Sequence, residues 1–145
     1  MKPTKAIIAS DNNPIYYPFW NTVSKYWKEV IGIDPVLIFV GKESPSTLGL
    51  SDKYGEVVHF DLSKHNMNFK TSTMAQTIRH FGATLYPEET CILSDADMLP
   101  LGKNYYLNQK ELLEFDDEGV CFYSSDWPET NRYPMCYIAA KGRVF

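Results

Sequence analysis

Long apolar runs are missing from the sequence. Val36-Leu37-Ile38-Phe39-Val40 is far shorter than the roughly 20 residues a membrane-spanning helix needs. The run Ala6-Ile7-Ile8-Ala9, although preceded by Lys2 and Lys5, is too short for the apolar core of a signal peptide. No membrane span and a cytoplasmic, intracellular protein are therefore expected. Cysteine is scarce. Three cysteines, Cys91, Cys121 and Cys136, cannot all pair within one chain, and no Cys-x-x-Cys or Cys/His spacing points to zinc. All three lie in apolar, strand-like text and are expected as buried, reduced thiols. Positive charge is also short: 14 Lys and Arg stand against 18 Asp and Glu, a net charge of −4. That balance argues against a dedicated nucleic-acid partner, because neutralising phosphates needs a cationic face. There is no internal repeat, low-complexity tract or interdomain linker.

What remains is an ordinary globular composition. Hydrophobic residues make up 44% and charged residues 22%, which excludes a disordered or collagen-like chain. With 145 residues the expectation is one domain, large enough for a core without staples.

Strands and helices alternate along the chain. Ala6-Ile7-Ile8-Ala9 reads as a strand covered on both faces, stopped by the turn and cap residues Ser10-Asp11-Asn12-Asn13-Pro14. A helix starting between Pro14 and Pro18 carries Phe19, Val23, Trp27 and Val30 at helical spacing and closes at Gly32. Asp34-Pro35 opens a second strand over 36–40, and Val57-Val58-His59-Phe60 is a short third. Thr71 or Ser72 caps a second helix, with Met74, Ile78, Phe81 and Leu85 on one face and Pro87 at its end. Cys91-Ile92-Leu93 is a further buried strand, 105–115 a short helix, 120–123 another strand, and 135–140 the last. The pattern predicts an α/β fold, a mostly parallel central sheet with flanking helices.

One dipeptide recurs after these strands: Ser10-Asp11, Ser94-Asp95 and Ser125-Asp126. Ser and Asp are also common loop starters, so one such tip says little. Three converging on the carboxyl edge of an open α/β sheet predict a ligand site there.

The segment Cys91-Ile92-Leu93-Ser94-Asp95-Ala96-Asp97-Met98-Leu99-Pro100-Leu101 carries the sharpest signal. In extended backbone, residues i and i+2 point the same way. Two like charges on one side repel unless a cation or hydrogen-bond donors lie between them. A divalent metal answers that need, since Mg²⁺ and Mn²⁺ take carboxylate oxygens together with substrate phosphates.

Here the chain resembles a known family. Ile92-Leu93-Ser94-Asp95-Ala96-Asp97-Met98-Leu99-Pro100 is similar to the DxD segment of GT-A glycosyltransferases, and Ala6 through Pro14 to their first strand and nucleotide loop. The likeness is nearest to the compact domains encoded by large algal viruses. It spans the whole chain, but only the DxD segment is specific. The resemblance implies a Rossmann-like GT-A sandwich over residues 1–145. It implies Mn²⁺ or Mg²⁺ as cofactor, a nucleoside diphosphate sugar (UDP is the commonest) as donor, and a glycan hydroxyl as acceptor. By the same resemblance Asp97 would bind the metal and Asp95 would hold the ribose or share the metal, with Ser94 and Ala96 beside them. Ser10, Asp11 and Asn12 would line the nucleoside pocket, and Arg79 would face the diphosphate. GT-A domains are usually longer, which implies that an acceptor-binding half and a third metal ligand follow Phe145.

Other residues have weaker claims. Asp126 is the candidate general base, with Trp127 as a stacking wall and Glu129 in reserve; a cap and a half-buried Trp would read the same. Arg79 would equally suit an ion pair with Asp95, and Lys70, Gln76, Tyr16 and Tyr17 are lesser candidates. The three histidines fit structural or exposed positions better than catalysis. Two rival functions stand beside the transferase. A haloacid-dehalogenase-like phosphatase also uses Asp-x-Asp, but near its N-terminus and with a different following pattern. A nucleotide-binding module without catalysis is the other.

Overall fold

In a computed structural model of the protein, residues 2–65, 68–108, 117–123 and 136–145 are described. The fold is α/β, built on a six-stranded mixed sheet. Its strands are β1 (Lys5–Asp11), β2 (Asp34–Val40), β3 (Glu56–Phe60), β4 (Thr90–Ser94), β5 (Cys121–Phe122) and β6 (Ile138–Lys141), in the order β3-β2-β1-β4-β6-β5. Strands β1 to β4 are mutually parallel. Strand β6 runs against both of its neighbours, so the far side of the sheet is antiparallel. No helix among the described residues is long and apolar enough to cross a membrane.

The strand residues are apolar on both faces because both faces are covered. Along β1, Ala6 and Ile8 face one layer and Ile7 the other; β2 alternates likewise, with Leu37 and Phe39 on the first side and Val36 and Ile38 on the second. The first layer is helix α1 (Trp20–Lys25), the wider turn Tyr26–Ile31 that continues it, and α3 (Lys103–Leu107). The second is helix α2 (Thr71–Gly82).

Both long helices turn inward a face that overlaps the one their apolar spacing predicts but is rotated from it: Val23 and Trp27 are buried and Met74 and Ile78 pack half-buried against the core, while the other expected residues are exposed. In the first, Phe19 and Val30 are 46% and 42% exposed, while Trp20, Val23, Trp27 and Ile31 fill the core. The helix widens over its last turn, with the Gly32 amide donating to the Trp27 carbonyl five residues back, and that widening brings Ile31 inward in place of Val30. Gly32 then ends it in the left-handed conformation, φ 84°, which glycine adopts without Cβ strain.

In α2, Phe81 and Leu85 are 61% and 57% exposed, whereas Ala75, Arg79 and Gly82 are buried. Small residues carry little hydrophobic signal, yet they are what lets α2 lie close to the sheet. A Cβ on Gly82 would stand 2.9 Å from Ile38 Cγ1 and 3.2 Å from Ile7 Cγ2. The Thr71 hydroxyl does not cap α2 either. It donates to Asp11 Oδ2 across the layer boundary, and Lys70 occupies the cap position without a side-chain bond.

The remaining elements differ at their ends. Helix α3 covers Lys103–Leu107, and the expected continuation over 109–115 lies outside the described residues. The last strand begins at Ile138, after Cys136 and Tyr137.

The seat of α2 is testable. Val and Gly differ little in helix propensity, so Gly82→Val isolates the steric effect. Overpacking of this kind costs about 1–3 kcal/mol, and urea denaturation should show a loss in that range.

Candidate functional site

Strands β2 and β3 follow β1 on one side of it, and β4 lies on the other. The chain therefore reverses direction across the sheet between β1 and β4. In open α/β sheets the ligand crevice lies outside the carboxyl ends at such a switch point. A cavity of about 270 Å³ opens there. Its walls are the β1 end (Ala9, Ser10, Asp11, with Asn13 and Tyr16 beyond), one side of α2 (Ser72, Ala75, Gln76, Arg79) and the β4 end (Asp95, Ala96, Asp97).

Parallel pairing with Ile8 opposite Ser94 brings the two Ser-Asp tips to the same edge on neighbouring strands, offset by two residues. Asp11 is buried and held from two directions. Its Oδ1 accepts from the Asn13 amide at 3.1 Å, and its Oδ2 from the Thr71 hydroxyl at 2.9 Å. That second bond ties the start of α2 to the tip of β1.

Arg79 is 5% exposed, a depth at which a guanidinium needs an anionic partner. Its Nη1 donates to Asp95 Oδ1 and, at 3.2 Å, to the Ser94 carbonyl. Asp95 remains 38% exposed toward the cavity. Asp97 is exposed and makes no side-chain hydrogen bond among the described residues. The cation that the Asp-x-Asp spacing calls for is thus supplied on one side by the protein itself.

Most of the expected residues meet at this cavity: Ser10, Asp11, Arg79, Asp95, Ala96 and Asp97. Two do not line it. Asn12 turns outward and donates to Glu43 at 3.2 Å, with Asn13 in the position expected of it. Ser94 is fully buried and contributes its carbonyl to Arg79 from behind the wall. Asp126, Trp127 and Glu129 lie outside the described residues. Strand β5 is antiparallel to β6 and β6 to β4, so β5 runs with β4 and ends at the same edge.

Gln76 and Tyr16, lesser candidates in the sequence, line the cavity. Sequence reasoning missed Ser72, Thr71, Cys136 and Tyr137. Thr71 reads locally as a helix cap, and nothing near Cys136 in the chain announces Asp95. The Cys136 thiol is pushed above its ordinary range by burial first and then by the Asp95 carboxylate beside it, against the opposing pull of Arg79. Tyr137 adopts φ 56°, rare for a residue with a side chain. In that conformation its amide donates to the Leu93 carbonyl at 2.6 Å and its carbonyl accepts from the Tyr123 amide at 3.0 Å. This bridge links β4, just before Asp95, to the end of β5. Burial also raises the Tyr137 phenol well above its ordinary value.

Comparison with known proteins found no matching family model, no similar curated sequence and no similar solved structure.

Among the described residues no three His, Cys, Asp or Glu side chains form a ready-made metal cage. Mg²⁺ and Mn²⁺ do not require one, since they bind through one or two carboxylates plus substrate phosphates. Asp97 and the exposed part of Asp95 fit that mode. Among the described residues of the wall, Asp11, Asp95 and Asp97 face one Arg79.

The proximity of Cys136 and Asp95 gives a chemical test. Asp95→Asn removes a charge that holds the thiol protonated, so the thiolate fraction rises. Alkylation of Cys136 at pH 8, followed on its peptide by mass spectrometry, should be several-fold faster in the variant.

Proposed function

We propose that this chain is a metal-dependent glycosyltransferase domain of the GT-A type. It takes a sugar from a nucleoside diphosphate sugar, with UDP as the nucleotide, and transfers it to a glycan hydroxyl. The observation that carries the reading is the charge pattern of the switch-point cavity. Three carboxylates and one buried arginine lie together at the carboxyl ends of β1 and β4. Such a wall rejects a bare diphosphate and accepts one that arrives with a divalent cation.

In this reading the β1 side holds the nucleoside. Asp11, fixed by Asn13 and Thr71, presents a preorganised carboxylate, and Tyr16 offers a ring beside it. Asp97 and Asp95 would hold the cation, which when bound offsets the charge developing on the departing diphosphate. Arg79 donates to diphosphate oxygens, for which a planar guanidinium is well shaped. Asp126, following the strand that ends at the same edge, is the proposed base for the acceptor hydroxyl. The phosphatase alternative has less support. It needs Asp95 as a free nucleophile, and that carboxylate is engaged by Arg79.

Calorimetric titration with UDP is the direct test. UDP should bind in Mn²⁺ and lose at least about tenfold in affinity in EDTA. Asp97→Asn should abolish the metal-dependent gain with an unchanged circular dichroism spectrum. Arg79→Ala should weaken UDP more than uridine. No binding of UDP, GDP or dTDP under either condition would remove the reading.

A further inference from the structure

The six-stranded sheet ends at β3, and the outer edge of that strand is open. The Gly41 amide donates to the Phe60 carbonyl at 3.2 Å, so Phe60 turns its backbone groups toward β2. Strand residues alternate in this respect. Glu56 and Val58 therefore face β2 as well, while Val57 and His59 point their amides and carbonyls away from the sheet. Among the described residues no backbone group pairs with them on that side. A cleft of about 600 Å³ lies beside them, lined also by Pro45, Ser46 and Leu50. Proteins usually blunt such an edge with proline, lysine or a bulge. Glu56-Val57-Val58-His59-Phe60 has no proline or lysine, and its register with β2 is unbroken along the strand. Its single carboxylate, Glu56, stands at the start.

This edge is complementary to itself. When an antiparallel second copy sets its Val58 opposite Val58, Val57 stands opposite the copy's His59, and His59 opposite the copy's Val57. Their outward amides and carbonyls then exchange hydrogen bonds across a two-fold axis. That register pairs every residue of the strand, and any other pairs fewer. Like charges stay apart, since Glu56 comes opposite Phe60, on which the His65 ring is stacked. Val58, packed against the second layer, meets its own counterpart on that face.

We propose that this chain forms a two-fold dimer through antiparallel β3–β3 pairing centred on Val58. The two sheets join into one, and each layer meets its counterpart on the same side. Because the joined strands run oppositely, the two switch-point cavities open at opposite ends of the dimer. The pairing is independent of what those cavities bind.

Sedimentation velocity of the full chain at rising concentration should move from one chain's mass to twice it. His59→Pro removes an outward amide but none of the bonds to β2, so a folded variant should keep one chain's mass. Cross-linking reads the register. In a non-hydrogen-bonded antiparallel pair the Cα atoms are about 4.5 Å apart, within the span of a disulfide. Val58→Cys with oxidised glutathione should therefore link two chains, and mass spectrometry should find the bond between two copies of the peptide that carries position 58. Position 59 is more exposed than 58. It lies diagonally from its counterpart, about 7–8 Å away, so His59→Cys should link far more slowly. Wild type of one chain's mass at every concentration overturns the dimer, as does association that a folded His59→Pro chain retains. Linking in His59→Cys as fast as in Val58→Cys overturns the centred pairing. If His59→Pro does not fold, the two cysteine variants decide the matter, and a Val58→Cys chain without a 58–58 link overturns the dimer.

Discussion

A guanidinium removed from water must keep a negative partner, and the arrangement of this site follows from how Arg79 meets that demand. Helix α2 lies low on the sheet because Ala75 and Gly82 face it. At that height, a residue one turn before Gly82 cannot reach bulk water, and Arg79 is directed to the end of β4. There the Ser94 carbonyl and the Asp95 carboxylate receive it. The same helix is tied at its start to β1 through Thr71 and Asp11. Two polar contacts therefore join α2 to both strands at the switch point, and the cavity is the space between them.

The charge of that space is unbalanced by construction. Among the described residues that line it, one arginine meets three aspartates, Asp11, Asp95 and Asp97. In a water-filled surface cleft such a surplus is well tolerated. When an anionic ligand displaces the water, the surplus becomes a requirement for a counter-cation. The proposed metal dependence and the Arg79–Asp95 pair would both answer that electrostatic condition. The antiparallel strand β6 contributes as well. The left-handed turn at Tyr137 fastens β4 to β5 just behind Asp95 and brings Cys136 alongside it.

Much of this was legible in the residues. The strands read correctly where both faces are covered, because a continuous apolar run such as Val36-Leu37-Ile38-Phe39-Val40 leaves no polar face to turn toward water. The Ser10-Asp11 and Ser94-Asp95 tips were expected at one edge, and they end neighbouring parallel strands, offset by two residues. The helices read less well. Periodicity weights large apolar residues, so beside Met74 and Ile78, which do pack against the core, it favoured the exposed Phe81 and Leu85 over the small residues that touch the sheet. It also assumes a constant turn, which the widened segment Tyr26–Ile31 does not have.

The amino-acid order by itself determined the alternation of buried strands and helices, the acidic tips that end the strands, and the Asp-x-Asp pair with its local repulsion. Those features depend on neighbours a few residues apart, where backbone geometry is nearly universal. Which partners those charges meet was decided only by the tertiary structure. Arg79 against Asp95, Thr71 against Asp11 and Cys136 beside Asp95 are contacts between residues distant in the chain. They exist because a glycine and an alanine let one helix approach the sheet closely, and because one strand runs against its neighbours. No local pattern encodes the depth at which a side chain comes to lie, and that depth makes the arginine a fixed part of the wall.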